Sequence, residues 1–165
     1  MTAEEMKIRT ATMEDLDEIV KVETICFPEA EAATRESFAE RLKHYPDHFW
    51  LLTAGEQIVG FVNGMVTEEA DLQDEMYENA EYHKENGKWQ MIFGVDTIPE
   101  YRRNGCAGRL LRYVIEQAQS QKRLGLVLTC KEKLIPYYAK FGFVNEGISK
   151  SVHGNVVWYQ MRLIF

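Results

Sequence analysis

The chain predicts an α/β domain in which a mixed sheet carries helices on both faces, and three observations point there. Short apolar runs of strand length alternate with stretches of helical periodicity along the whole sequence. One of those runs, LGLVLTC at 124–130, is unbroken in its hydrophobicity and reads as a strand buried on both faces. The length of 165 residues, 45% hydrophobic and 27% charged, suffices for one sizeable core, so a single domain over 1–165 is expected.

The elements follow in order. KIRT opens with a short strand, and Thr12 with Asp15 three positions on forms a capping-box pattern ahead of a helix. Leu16, Ile19, Val20, Glu23 and Phe27 recur at helical spacing, and FPEAEAAT breaks that helix. Thr34 caps a second helix with Phe38, Leu42 and Tyr45 on one face, stopped before Pro46. FWLLTAGEQIVGFVNGMVT reads as two strands around an Ala-Gly-Glu turn. Residues 68–88 are polar and acidic with few apolar anchors, which predicts a partly helical surface insertion.

WQMIFGVDTI, 89–98, reads as one strand ended by Pro99. A helix follows in which Ala107, Leu110, Leu111, Val114 and Ala118 form the buried stripe. After strand 124–130, LIPYYAKFGF is a short helix closed by Gly142. Two last strands, 143–152 and 156–165, surround a His153-Gly154-Asn155 turn. The order is βααββ, an insertion, then βαβαββ.

Charge is unevenly distributed. Residues 100–150 hold ten Lys and Arg against four Asp and Glu, a net of +6, whereas the remainder carries nine against 22, a net of −13. The whole surface repels a nucleic-acid backbone, so no nucleic-acid partner is expected, while the basic sector suits a small polyanion. No apolar stretch approaches membrane-spanning length, and the acidic start MTAEEMKIRT does not read as a secretory signal. Cys26, Cys106 and Cys130 are scattered, without CxxC spacing; reduced thiols, a cytoplasmic location and no bound metal are expected.

The basic sector opens with PEYRRNGCAGRLLR. Gly105, Ala107 and Gly108 carry almost no side chain where a helix begins, so main-chain N–H groups can approach an anion that the helix dipole favours. Arg102 and Arg103 add charge, and the outline is that of a diphosphate cradle. The spacing matches neither G-x-x-x-x-G-K-[ST] nor G-x-G-x-x-G.

A strand ending GVDTIPEY, then R-x-x-G-x-A at Arg102, Gly105 and Ala107, an amphipathic helix, the strand LVLTC and finally YYAKFGF together resemble the GNAT acetyltransferase superfamily. Within it, CKEKLIPYYAKFGF and FVNGMVTEEADL look nearest to the arylalkylamine (serotonin) N-acetyltransferases. The resemblance implies a mostly antiparallel sheet of six to seven strands with about four helices, splayed between the strands ending near 97 and 130. It implies acetyl-CoA as co-substrate, held by Val95 and Thr97 through backbone and by Arg102, Arg103, Asn104, Gly105, Ala107 and Gly108 at the pyrophosphate. It also implies Tyr138 as general acid beside the leaving thiolate and the Val95 N–H as oxyanion donor. A phenol stays protonated at neutral pH, as an acid must. Tyr137 is read as packing.

The chain departs from the arylalkylamine pattern where two strand histidines belong, since Met91 and Phe93 stand there. Glu68, Glu69 and His153 are the candidate bases by loop position, and Asp96 has the wrong strand parity. Phe27, Glu29 and Glu31 occupy the loop that covers the acceptor in relatives, where two carboxylates attract a cationic amine. Cys130 lacks a histidine partner and reads as a buried thiol rather than a nucleophile. The expected activity is N-acetylation of a primary amine, a small molecule, by direct attack in a ternary complex. A protein N-terminus or lysine as acceptor, and a non-catalytic CoA-binding sensor, are the alternatives. The aromatic-rich strand at 156–165 leaves a homodimer open.

Overall fold

The computed structural model describes residue 2 and residues 5–165. Nine strands form two sheets that meet at one irregular hairpin. The first is antiparallel, in the order β1 (Lys7–Thr10), β2 (Phe49–Ala54), β3 (Gln57–Asn63), β6 (Gly94–Thr97). The second runs β4 (Val66–Thr67), β5 (Trp89–Ile92), β7 (Gly125–Cys130), β9 (Tyr159–Ile164), β8 (Val144–Ile148), with β5 and β7 parallel. Among the described residues there are five α-helices: α1 (Leu16–Cys26), α2 (Arg35–His44), α3 (Asp74–Glu78), α4 (Cys106–Ser120) and α5 (Ile135–Ala139). No helix of the described residues is long and apolar enough to cross a membrane.

Local chemistry explains the boundaries. The Thr12 N–H donates to Asp15 Oδ2 at 2.8 Å and starts the turn that leads into α1. Thr34 Oγ1 accepts from the Ser37 N–H at 3.1 Å and starts α2. Gly55, at φ +62°, makes the tight turn between β2 and β3. β2 and β3 are buried on both faces, with α1 and α2 on one side and α4 on the other. Phe38, Phe49 and Phe61 interlock there with centroids 5.3–5.9 Å apart.

Three expectations are corrected. The predicted strand 89–98 is two strands, because Phe93 and Gly94 both face Asn63. The Phe93 N–H donates to the Asn63 carbonyl at 2.7 Å while Gly94 is its register partner. That extra residue is a β-bulge, and it turns β6 away from β7 toward β3. Counting β3 with β4 and β5 with β6 as bent arms returns the expected seven strands.

The 68–88 insertion is not merely a surface feature. Leu72, Met76 and Ala80 bury beside Tyr45, Met65, Met91 and Val127 in a second core. The connection between the last two strands is not a tight turn but a ten-residue loop, 149–158. Its 153–155 segment is a 3₁₀ turn with Gly154 and Asn155 at positive φ.

Candidate active site

The bulge creates the cleft. β5 and β7 pair only as far as Ile92 and Leu128. Beyond that point Thr129 and Cys130 keep β9 on one side and face the departing β6 on the other. A cavity of ≈ 490 Å³ opens between them, the expected splay between residues 97 and 130.

The β6 edge is set by hydrogen-bond alternation. The Ile98 N–H donates to the Val59 carbonyl at 2.9 Å, so Asp96 and Gly94 continue the hydrogen-bonded pairs with β3. Val95 and Thr97 are the intervening non-bonded pairs, and their N–H groups point off the free edge. The Thr97 carbonyl accepts from Arg102 Nε at 2.8 Å and lies 3.4 Å from Cys26 Sγ. Arg102 thus braces the end of β6 with one nitrogen and leaves the others of its fork directed elsewhere.

The loop after β6 is shaped by two positive φ angles, +65° at Arg103 and +80° at Gly105. Gly105 is the N-cap of α4, and nothing stands within 4 Å of where its Cβ would be. Arg102, Arg103, Asn104 and Gly105 are exposed, and Ala107 is half-buried. The first intrahelical bond from this turn is Arg109 N–H to the Gly105 carbonyl, so the N–H groups of Ala107 and Gly108 have no acceptor within the helix. Gly108 is packed instead, with the Phe141 ring 3.5 Å from its Cβ position. The start of α4 and its dipole therefore face open space at Gly105, with the exposed Arg102 and Arg103 next to it in the chain.

Tyr138 lies on α5, 8% exposed, and lines the cleft beside Cys130. Burial, with smaller contributions from Cys130, Tyr137 and Asp96, pushes its phenol above the ordinary tyrosine range, so it holds its proton at neutral pH. Tyr137 packs edge-on against Tyr138 and Phe141. Burial raises the Cys130 thiol to about 11, which suits the inert role read from the sequence.

Glu31, Glu78 and Glu23 are the carboxylates that line the cleft, and Glu23 is the one the sequence placed in the apolar stripe of α1. It is 7% exposed, and its Oε2 accepts from the Ala33 N–H at 2.8 Å. Behind it sits Asp96, fully buried, whose oxygens meet no N–H or O–H donor among the described residues. The group facing them is the Glu23 carboxyl. Burial first, then Glu23, holds Asp96 well above the usual carboxylate range. The parity argument against Asp96 holds in the sense that Asp96 does not line the cavity. Its partner does, and a glutamate among apolar helix positions was the available signal.

The other predicted residues divide. Phe27 lines the cavity, whereas Glu29 is exposed and outside it. Glu31 lines it, but Lys131 Nζ lies 2.9 Å from its Oε1, so its charge is already matched. His153 Nε2 donates to the Glu31 carbonyl at 2.8 Å, and its ring stacks on Tyr77 at 5.4 Å, which leaves only Nδ1 to take a proton. Glu68 and Glu69 are exposed and line a separate depression with Tyr82 and Lys84, outside the cleft. Met91 is buried in the second core, and Phe93 lines the cleft. Tyr77, from the insertion, is a wall residue that the sequence missed.

Residues 13–143 match the model of the acetyltransferase (GNAT) family. Three solved structures share the fold. The loading GNATL domain of CurA from Lyngbya majuscula is 17% identical with TM-score 0.84, covering 96% of this chain and 97% of that one. The ribosomal-protein-S18-alanine N-acetyltransferase from Escherichia coli is 17% identical with TM-score 0.73, covering 96% and 93%. The PaiA N-acetyltransferase from Thermoplasma acidophilum, in complex with coenzyme A, is 15% identical with TM-score 0.72, covering 97% and 99%. The family match over most of the chain, on a sheet opened by a bulge beside a glycine-capped helix, makes this protein a member of the GNAT acetyltransferase family.

Proposed function

We propose that the chain transfers an acetyl group from acetyl-CoA to the nitrogen of a small primary amine by direct attack in one ternary complex. One observation carries this reading: a single cleft is lined by the free edge of β6, by the buried Tyr138 phenol and by Glu23, which is backed by buried Asp96. The open turn at Gly105 fits a diphosphate, since a side chain there would stand in the space the anion needs and none does. Arg102, Arg103, Asn104, Gly105, Ala107 and Gly108 would hold it, with Val95 and Thr97 supplying backbone pairing along β6. Bound there, acetyl-CoA supplies an acyl carbon activated as a thioester.

The protein groups divide the remaining work. The Val95 N–H stabilises negative charge developing on the acyl oxygen. Glu23 accepts the proton lost by the attacking amine, through its Oε1 or one bridging water, and takes the place of Glu69 and His153 in this role. Buried Asp96 stands behind Glu23 and keeps its carboxyl oriented toward the cleft. Tyr138 donates its proton to the departing thiolate and recovers one from solvent.

A small acceptor is favoured because Tyr77, Phe27 and Trp158 wall the cavity. The arylalkylamine-like reading rests on the CKEKLIPYYAKFGF and FVNGMVTEEADL similarities, with Glu23 serving where that group's histidines are absent. The test is thiol release from acetyl-CoA across aromatic amines, polyamines, aminoglycosides and amino acids, with the acetylated product identified by mass. Amine-dependent release that falls at least ~100-fold in Glu23→Gln supports the proposal. CoA binding with no release for any amine selects a sensor instead.

A further inference from the structure

Another charged group that lines the cleft has no ion partner among the described residues. Arg41 of α2 is 3% exposed and lies four residues after Ser37, which lines the same cavity. Its Nη1 donates to Asn63 Oδ1 and its Nη2 to the Tyr77 carbonyl, both at 2.9 Å. The rings of Phe38 and Phe93 lie 5.2 and 5.0 Å from its central carbon. Its Nε has no acceptor. Every one of these neighbours is neutral, and no ion pair among the described residues includes Arg41.

A guanidinium cannot shed its charge, so its burial against neutral partners is costly. The nearby acids do not remove that cost, since neither Glu23 nor Asp96 lies within ion-pair distance of Arg41. An anion entering the cleft would remove it.

The acid pair and the guanidinium are also close neighbours in the fold. Asn63, which takes the Arg41 bond, is the register partner of Gly94. Asp96 lies two residues beyond Gly94 on the same sheet face. Asp96 Oδ1 and Asn63 Nδ2 stand 3.3 and 3.9 Å from the Gly94 Cβ position. Arg41 and Glu23 thus line one cleft beside the same stretch of β3 and β6, so a single small ligand carrying both an amine and a negative charge answers both groups. The walls between them, Phe27, Phe93, Tyr77 and Trp158, are aromatic.

We propose that the acceptor is an amino acid with an apolar side chain, its carboxylate met by Arg41 and its nitrogen placed at Glu23. This rests on the acetyltransferase reading above and narrows it to one substrate class. The test compares matched amines that differ only by the carboxylate: L-phenylalanine with 2-phenylethylamine, and L-leucine with 3-methylbutylamine. Thiol release at saturating acetyl-CoA gives kcat/KM for each.

The wild-type protein is expected to favour the carboxylated member by about 100-fold or more, because a site built for a charged hydrogen bond rejects the analogue lacking it. In Arg41→Gln that ratio collapses to within a few-fold, and in Arg41→Lys it is intermediate. CoA titration of each variant reports whether it has folded, and the wild-type ratio decides the matter without any variant. A wild-type ratio at or below one overturns the inference while leaving the acetyltransferase reading intact. Equal losses for both members of a pair in Arg41→Gln assign Arg41 to holding Asn63 and Tyr77 in place and overturn it too. Failure to acylate any amine, with CoA still bound, overturns both.

Discussion

Replacing Asp96 by Asn removes one proton from the acid pair and keeps the shape. In the unfolded chain Asp96 titrates in the ordinary carboxylate range, whereas in the fold burial and the Glu23 carboxyl raise it well above. Between those two values the native state holds a proton that the unfolded state has lost. Wild-type stability is therefore highest below the unfolded value and falls as pH rises, by about 1.4 kcal/mol per pH unit, until native Asp96 itself titrates. Asp96→Asn lacks this slope. The variant's stability relative to wild type should thus grow by the same ~1.4 kcal/mol per unit above the ordinary range and then level off. Urea unfolding of both proteins at half-unit intervals from pH 4 to pH 8 measures it. A difference that stays flat would show that Asp96 is not held above the ordinary carboxylate range, and the account of Glu23 as a base backed by Asp96 would fall with it.

Other outcomes follow from the same geometry. Tyr138→Phe should lower kcat by ~10²–10⁴ while the CoA dissociation constant, measured by calorimetry, changes far less. Gly64→Ala places a Cβ 1.9 Å from the Met91 carbonyl oxygen, backbone that cannot yield without opening the bulged hairpin. It should cost about 3 kcal/mol and lower Tm by roughly 6–12 °C in a thermal melt. Cys130, with its thiol raised to about 11, should react with iodoacetamide at pH 8 on the order of 100-fold more slowly than a free thiol, and labelling at the free-thiol rate would contradict its burial.

The sequence disclosed what repeats or punctuates. Helix stripes, the Thr34 cap, the glycine turn at 55 and the bare turn at Gly105 each had a local chemical signature, and each stands where it was read. The bulge did not, because WQMIFGVDTI has uniform strand propensity and its kink is set by pairing with Asn63, 30 residues earlier in the chain. The insertion looked solvated because its acids outnumber its anchors. Leu72, Met76 and Ala80 nevertheless share one face at fourfold spacing, and a core formed by Tyr45 and Met65 receives them.

Long-range partners also decided the acids. Glu69 and His153 were nominated by loop position, but a base is made by burial and by what stands behind it. Only the folded sheet brings Asp96 up to Glu23. Arg41 is the same lesson in the opposite charge: a helix arginine looks solvated until the strand beneath it and the insertion above it are in place.

The most direct test of the account is amide hydrogen exchange at Val95 and Thr97, followed by NMR with and without acetyl-CoA. Free edge donors that pair with the coenzyme should slow by at least tenfold on its addition, together with the amides of Gly105 to Gly108. Unchanged exchange at Val95 and Thr97, with protection appearing elsewhere on the molecule, would contradict it.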